Sequence, residues 1–384
     1  MSGAGAPPSR PGTEPGPGFR PPPYPYDRLG PVLALARAHD GGAVDLSIGT
    51  PGDPPPTAVV DALASSGAER GYPPSIGSVA FRDAARAWMA RRLGVEVPSA
   101  AIAACVGTKE LVATTPHWLR LRDPSKDTVL YPAVSYPTYE MGAVLAGCRP
   151  VPVPVDEEWR IDLAAVAEAD AARALCLWVN TPANPTGALD DLGAVAGWAR
   201  ARAVPVFSDE CYVEFTWDGP RRTILEHGLD GLVAVHSLSK RSNLAGLRAG
   251  FIAGDPDLVA YLAEVRKHVG MMVPGPVQAA ATVALGDDAH VEEQRRRYHE
   301  RLEFLADVLA SLGWECSWPG GSFYLWARAP GGDSWVAADE LARRGGAVVA
   351  PGEFYGPQGA GWLRAAAVVP MDRLRVVADR LSAR

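Results

Sequence analysis

"LVAVHSLSKRSNLAGLRAGFIAG", residues 232–254, sets an apolar run, a short polar turn and a second apolar run in direct succession. The first run, LVAVHSLS at 232–239, carries hydroxyls at Ser237 and Ser239 near its end, and it is followed by a lysine at Lys240 and an arginine at Arg248. Continuous apolar runs of this length read as strands buried on both faces, the state of a parallel sheet covered by helices. In such sheets ligands lie beyond the carboxyl ends of the strands. A lysine placed where this run stops is therefore placed where a ligand would be.

Working outward, further strands are expected at 101–107, 128–132, 174–180, 204–209 and 249–254, alternating with longer amphipathic stretches. That rhythm predicts an α/β fold with a mostly parallel central sheet. Beyond residue 285 the pattern changes to a charged helix at 290–313, a strand at 322–329, another helix and an apolar run at 347–352. This predicts a second, smaller α+β domain. Residues 1–23 are mostly Pro, Gly, Ser and Ala, cannot bury enough apolar surface to offset ordering, and read as a disordered tail. No internal repeat is present.

The chain has 384 residues and a formal net charge of -7, which disfavours a general nucleic-acid-binding role and leaves small metabolites as partners. No apolar run reaches membrane-spanning length and the N-terminus lacks a secretory signal, so the expected location is the cytoplasm. Five cysteines without a CxxC pair fit reduced, buried thiols. Seven histidines show no ligand spacing, so no metal site is expected, and His236 reads as a core residue. The run EEQRRRYHER reads as a solvated helix face.

Polar groups gather where the strands stop. Asn180 and Asn184 lie in VNTPANPTG, Asp209 closes VFSD, Ser237, Ser239 and Lys240 close the third strand, and Gly107, Thr108 and Lys109 open a helix after another. A desolvated lysine can act as an amine nucleophile toward a carbonyl. Two hydroxyls, the Arg248 guanidinium and backbone amides at Gly107 and Thr108 would hold a phosphate dianion. Asp209 could pair with a protonated pyridine nitrogen. Pyridoxal 5'-phosphate has an aldehyde, a phosphate and such a nitrogen, so Lys240 reads as its Schiff-base lysine.

The stretches NTPANPTG, SDECY and SLSKRSNLAGLRAG, in this order, resemble the fold type I, class I/II aminotransferases. LSIGTPGDPPP, YPPSIGSVAFRDA and WLRAAA extend the resemblance over nearly everything after the tail. SDECYVEFTWDG, HSLSKRSNLAGLRAGF and YPTYEMGAVLAG bring it nearest to the actinobacterial succinyldiaminopimelate transaminases. The resemblance implies an N-terminal arm at 24–48 contributing to the small domain, a large cofactor-binding domain at 49–284 and a small domain at 285–384. It implies that Lys240 holds the cofactor and shuttles a proton, that Asp209 keeps the pyridine nitrogen protonated, and that Tyr212 and Asn184 donate to the phenolic oxygen. Tyr136 would stack on the ring, although YPAVSYPTY carries extra residues and Ala133 could take that place. Tyr72 would reach the phosphate of a neighbouring subunit, making the enzyme a homodimer, Gly49 would allow close backbone approach to substrate, and Arg364 would clamp the substrate α-carboxylate.

The implied reaction is ping-pong transfer of an amino group between glutamate and a keto acid, N-succinyl-2-amino-6-ketopimelate on the nearest likeness, in diaminopimelate and lysine biosynthesis. Arg28, Lys109 and Arg241 are candidates for the distal carboxylates by type and neighbourhood. Alternatives are an aminotransferase for aspartate, aromatic amino acids or alanine, and a lyase or synthase on the same cofactor. A cofactor-sensing regulator would carry a DNA-binding domain in front, where only the short tail is found.

Overall fold

The computed structural model describes residues 18–383; most of the segment expected as a tail, residues 1–17, lies outside them. Thirteen strands occur among the described residues: β1 Val44–Asp45, β2 Ile102–Cys105, β3 Thr128–Pro132, β4 Arg149–Val153, β5 Ala174–Asn180, β6 Val206–Asp209, β7 Leu232–Ser237, β8 Gly250–Gly254, β9 Glu315–Cys316, β10 Tyr324–Arg328, β11 Ala347–Val348, β12 Ala350–Pro351 and β13 Trp362–Ala366.

Seven of them form one sheet in the order β2-β8-β7-β6-β5-β3-β4. Pairing is parallel throughout except for β8, which runs antiparallel to both of its neighbours. Every residue of β5, β6, β7 and β8 is buried. Buried apolar side chains each contribute on the order of 1.5–3 kcal/mol, which is why these strands are apolar on both faces rather than alternating. One face packs on the helices Val79–Leu93, Leu192–Arg202 and Gly275–Gly286 through Phe81, Trp88, Val195 and Ala281. The other packs on Thr108–Arg122, Thr138–Leu145 and Pro256–His268 through Leu111, Tyr139 and Leu262.

A second sheet, antiparallel in the order β12-β13-β10-β9, packs with the helices Ala289–Ser311, Ser334–Gly345 and Met371–Ser382. The N-terminal strand β1 pairs in parallel with β11, so the segment before residue 49 joins the C-terminal part of the chain. The expected run 347–352 divides between β11 and β12, which belong to different sheets.

Strand β4, RPVPV, has no counterpart among the sequence-based strands. Two prolines in five residues argue against a strand, but β4 is the sheet's edge, where missing amide donors leave no ladder bond unmade. Among the described residues, no helix is long and apolar enough to cross a membrane and no cluster of ligating side chains could hold a metal ion. His236 is buried beside Trp88 and Phe251, and desolvation pushes its pKa down to about 3, as befits a neutral core imidazole.

Candidate active site

At the carboxyl edge of the large sheet, β5 ends at Asn180, directly opposite Asp209 at the end of β6. The Asn180 side chain binds both sides of this edge. Its Nδ2 donates to the Asp209 carbonyl at 2.8 Å, and its Oδ1 accepts from the Asn184 amide at 2.8 Å, fixing the turn that carries Asn184. Both X-Pro bonds of this turn, Thr181–Pro182 and Asn184–Pro185, are cis.

Asp209 is buried, and desolvation pushes its carboxyl above the usual range. Two donors oppose that shift: the Tyr139 hydroxyl at 2.9 Å from Oδ2 and the Cys211 amide at 3.3 Å from Oδ1. Tyr139 is held in place by stacking on Trp178, with ring centroids 5.4 Å apart. With two donors and no bonded cation among the described residues, this buried carboxylate is suited to a cationic N–H partner.

The next strand delivers the lysine. The Ser237 hydroxyl accepts from the Ser239 amide at 3.1 Å and so starts the short helix Leu238–Arg241. On that turn Arg241 faces away from the cavity, toward Glu214 and the Ala284 carbonyl, and Lys240 faces into it. Lys240 Nζ donates to the Gly49 carbonyl. Burial, and secondly the Arg364 cation, lower its pKa to about 8, so the neutral, nucleophilic amine is accessible near physiological pH.

The helix Thr108–Arg122 starts without a side-chain cap, leaving amide donors for an anion. Its N-cap, Gly107, has φ +74°, and a Cβ there would run into the Arg248 guanidinium. Thr108, Ser237, Ser239 and Arg248 line the cavity around this terminus.

The second sheet contributes Arg364, from β13. It is only 2 % exposed, donates to Asn184 Oδ1 at 2.7 Å and to the Ser47 carbonyl, and leaves Nε without a partner among the described residues. The Tyr324 and Tyr355 rings stack on it, at 4.1 Å and 5.0 Å from Cζ to the centroids. A buried guanidinium bonded to no carboxylate is costly unless a ligand completes it. Tyr324 also explains Gly49, where a Cβ would collide with the Tyr324 hydroxyl.

These groups surround one cavity of about 490 Å³. Of the sequence-predicted residues, Gly49, Thr108, Lys109, Tyr136, Asn184, Asp209, Tyr212, Ser237, Ser239, Lys240, Arg248 and Arg364 line it. Gly107 backs it through Arg248 rather than lining it, and Tyr136, not Ala133, faces it. Tyr72 is 96 % exposed and stands apart from it. Neither Arg28, paired with Glu353 at 2.7 Å, nor Arg241 lines it, so of the three cations considered for a distal carboxylate only Lys109 does.

Sequence reasoning passed over Tyr24, Tyr26, Tyr139 and Tyr324, which also line the cavity. Their common signal is a hydroxyl within an apolar or proline-flanked stretch, which reads equally as packing. An aldehyde, a phosphate and a pyridinium N–H would satisfy Lys240, the helix terminus with Arg248, and Asp209 respectively, so the residues present fit the cofactor expected from the sequence.

Residues 42–381 match the family described as aminotransferase class I and II. The 4-dedimethylamino-4-oxo-anhydrotetracycline transaminase of Streptomyces rimosus is 42 % identical over 94 % of this chain and 99 % of its own length. A probable aminotransferase of Mycobacterium tuberculosis is 44 % identical over 94 % of this chain and 85 % of its own. Among solved structures, a probable N-succinyldiaminopimelate aminotransferase from Thermus thermophilus superposes with a TM-score of 0.84 at 32 % identity, covering 93 % of this chain and 98 % of that one.

Proposed function

Because the chain belongs to the class I and II aminotransferases, which depend on pyridoxal 5'-phosphate, we propose that it moves an amino group between glutamate and N-succinyl-2-amino-6-ketopimelate. The two substrates would use one cavity in turn, giving ping-pong kinetics. The observation that carries this reading is Arg364, a buried guanidinium lining the cavity that, among the described residues, has Nε unpartnered and no carboxylate bonded to it. Both substrates bring an α-carboxylate that would complete it.

When bound, the cofactor supplies a carbonyl that condenses with amines and a ring that accepts electron density from the substrate's α-carbon. Lys240 would hold the cofactor and would be the amine that takes the substrate's α-proton and returns it. Asp209 would pair with the ring nitrogen and favour its protonated form. Arg364 can only donate, so the Asn184 amide oxygen is turned toward it and Nδ2 is left to donate to the phenolic oxygen. Tyr212 would donate to the same oxygen, and Tyr136 would stack on the ring. The helix terminus at Gly107, Thr108 and Lys109 would receive the phosphate through its backbone amides, Ser237, Ser239 and Arg248 through their side chains, with Tyr72 of the partner subunit in a homodimer reaching it from outside. The near-complete exposure of Tyr72 supports that last role.

At the distal end, Lys109 bonds the Tyr24 hydroxyl at 3.1 Å and pairs with no carboxylate among the described residues, which supports recognition of an acidic far end. Similarity to the tetracycline-pathway transaminase supports a second reading, the same chemistry on a bulkier keto acceptor. Stopped-flow absorbance of the holoenzyme tests both. Loss of the bound cofactor's visible band with glutamate and with N-succinyl-LL-diaminopimelate, but not with aromatic or small apolar amino acids, is expected. Conversion by other amino acids alone would discard the substrate, and release of ammonia and a keto acid without stable loss of the band would discard amino transfer.

A further inference from the structure

We propose that Tyr324 is a positioning residue that links the carboxylate-binding arginine to Tyr212 and fixes the direction in which the Tyr212 hydroxyl proton points. The Tyr324 and Tyr212 hydroxyls lie 2.9 Å apart, both buried, and both side chains line the cavity. Each phenol carries one proton, so one of the two is spent on this bond and the other is free for a third acceptor.

The surroundings decide which. Tyr324 lies on β10 opposite Ala366 of β13, two register positions from Arg364, and the guanidinium lies against its ring at 4.1 Å. A cation on the face of a phenol stabilises its conjugate base and makes it the better donor of a pair. Burial raises both hydroxyls, and the Arg364 cation is the foremost influence opposing that rise at Tyr324. Tyr324 therefore donates to Tyr212, and the Tyr212 proton is directed into the cavity. The end of the ring packs closely on the Gly49 backbone, in the space that a Cβ there would fill, and the Gly49 carbonyl is itself engaged by Lys240.

This inference rests on the reading that Tyr212 donates to the cofactor's phenolic oxygen. A donor there withdraws electron density and lowers the pH at which the bound cofactor's visible absorbance changes form. Removing the Tyr324 hydroxyl weakens that donor through Tyr212 alone, and Phe keeps the ring between Gly49 and Arg364. The test is a spectroscopic pH titration of substrate-free holoenzyme for wild type, Tyr324→Phe, Tyr212→Phe and the double variant. Tyr324→Phe is expected to move the midpoint up by roughly half a pH unit or more, the scale of weakening one charge-assisted hydrogen bond. Tyr212→Phe should move it further, and the double variant should match Tyr212→Phe alone. The KM for glutamate should stay within about twofold in Tyr324→Phe, since Arg364 keeps its stacking. No shift in Tyr324→Phe beside a clear shift in Tyr212→Phe overturns the role of Tyr324 and leaves that of Tyr212 standing. An undiminished shift in the Tyr212→Phe background overturns the route through Tyr212. No shift in Tyr212→Phe itself removes the reading of Tyr212 and the inference with it.

Discussion

The Tyr139 hydroxyl donates to Asp209 Oδ2 across 2.9 Å, linking a helix on one face of the large sheet to the carboxylate at the end of its β6 strand. The bond counteracts the desolvation that pushes Asp209 toward its neutral form. Tyr139→Phe keeps the stacking on Trp178 and removes only the donor, so Asp209 becomes harder to ionise and pairs less well with a protonated ring nitrogen. Affinity of the apoprotein for pyridoxal 5'-phosphate should fall about tenfold, the worth of one hydrogen bond to a charged group. Equilibrium titration by absorbance checks this, and an unchanged Kd would show that Asp209 does not meet the ring nitrogen.

Uptake of cofactor by the apoprotein should report the Lys240 amine directly. Only the neutral amine is nucleophilic, and its pKa is lowered to about 8. The rate should therefore climb about tenfold per pH unit below 8 and level off above it, whereas an ordinary lysine would keep climbing to about pH 10.4. Stopped-flow mixing from pH 6 to 10 distinguishes the two profiles. Lys240→Ala should lose the covalent linkage altogether.

Arg364→Lys keeps the charge and loses the planar pair of donors that a carboxylate requires. It should raise KM for the amino donor and the keto acceptor alike and reduce kcat/KM by roughly a hundredfold. An effect on only one of the two substrates would show that Arg364 does not bind the carboxylate they share.

The buried Glu214 accepts from Trp88 Nε1 at 2.7 Å, Arg92 at 2.8 Å and Arg241 at 3.3 Å, the last being the residue after Lys240. Burial opposes its charge, but these partners win and hold its carboxyl below the usual carboxylate range. A depressed folded value means that its stabilisation is complete above the unfolded pKa and is lost as pH falls through the folded one. Glu214→Gln should lower stability by about 1.5–3 kcal/mol at pH 7, because it removes the charged acceptor shared by Arg92 and Arg241, which keep Glu292 and Asp288 as partners. Thermal melts of variant and wild type should converge as pH drops below about 4.

What could be seen in the sequence was whatever interrupts an apolar run. Asn180, Asp209, Ser237 and Lys240 each follow residues that a buried strand explains, so their polarity needs a ligand. Arg364 stood out in the same way, between leucine and alanine. Tyr324 did not, because in SFYLWARA an aromatic residue is what a core strand carries, and its neighbours Arg364 and Gly49 lie 40 and 275 positions away. Tyr139 is a similar case: it lies on a helix face buried against Trp178, and only the fold reveals Asp209 beyond it. Strand β4 escaped notice because proline content outweighs everything else in five residues, and its tolerance depends on an edge position that only topology supplies.

The cavity draws Lys240, Asp209 and Asn184 from the large sheet, Arg364 from the small one, and Tyr24 and Tyr26 from the segment before β1, which is fastened by Tyr26 to Tyr355 at 2.8 Å. That division gives the chain evolutionary latitude. Substitutions at Tyr24 and Tyr26 can redraw the outer wall while the groups that would handle the cofactor stay where their strands hold them. Selection for a new substrate then acts on a handful of positions that carry no share of the common chemistry.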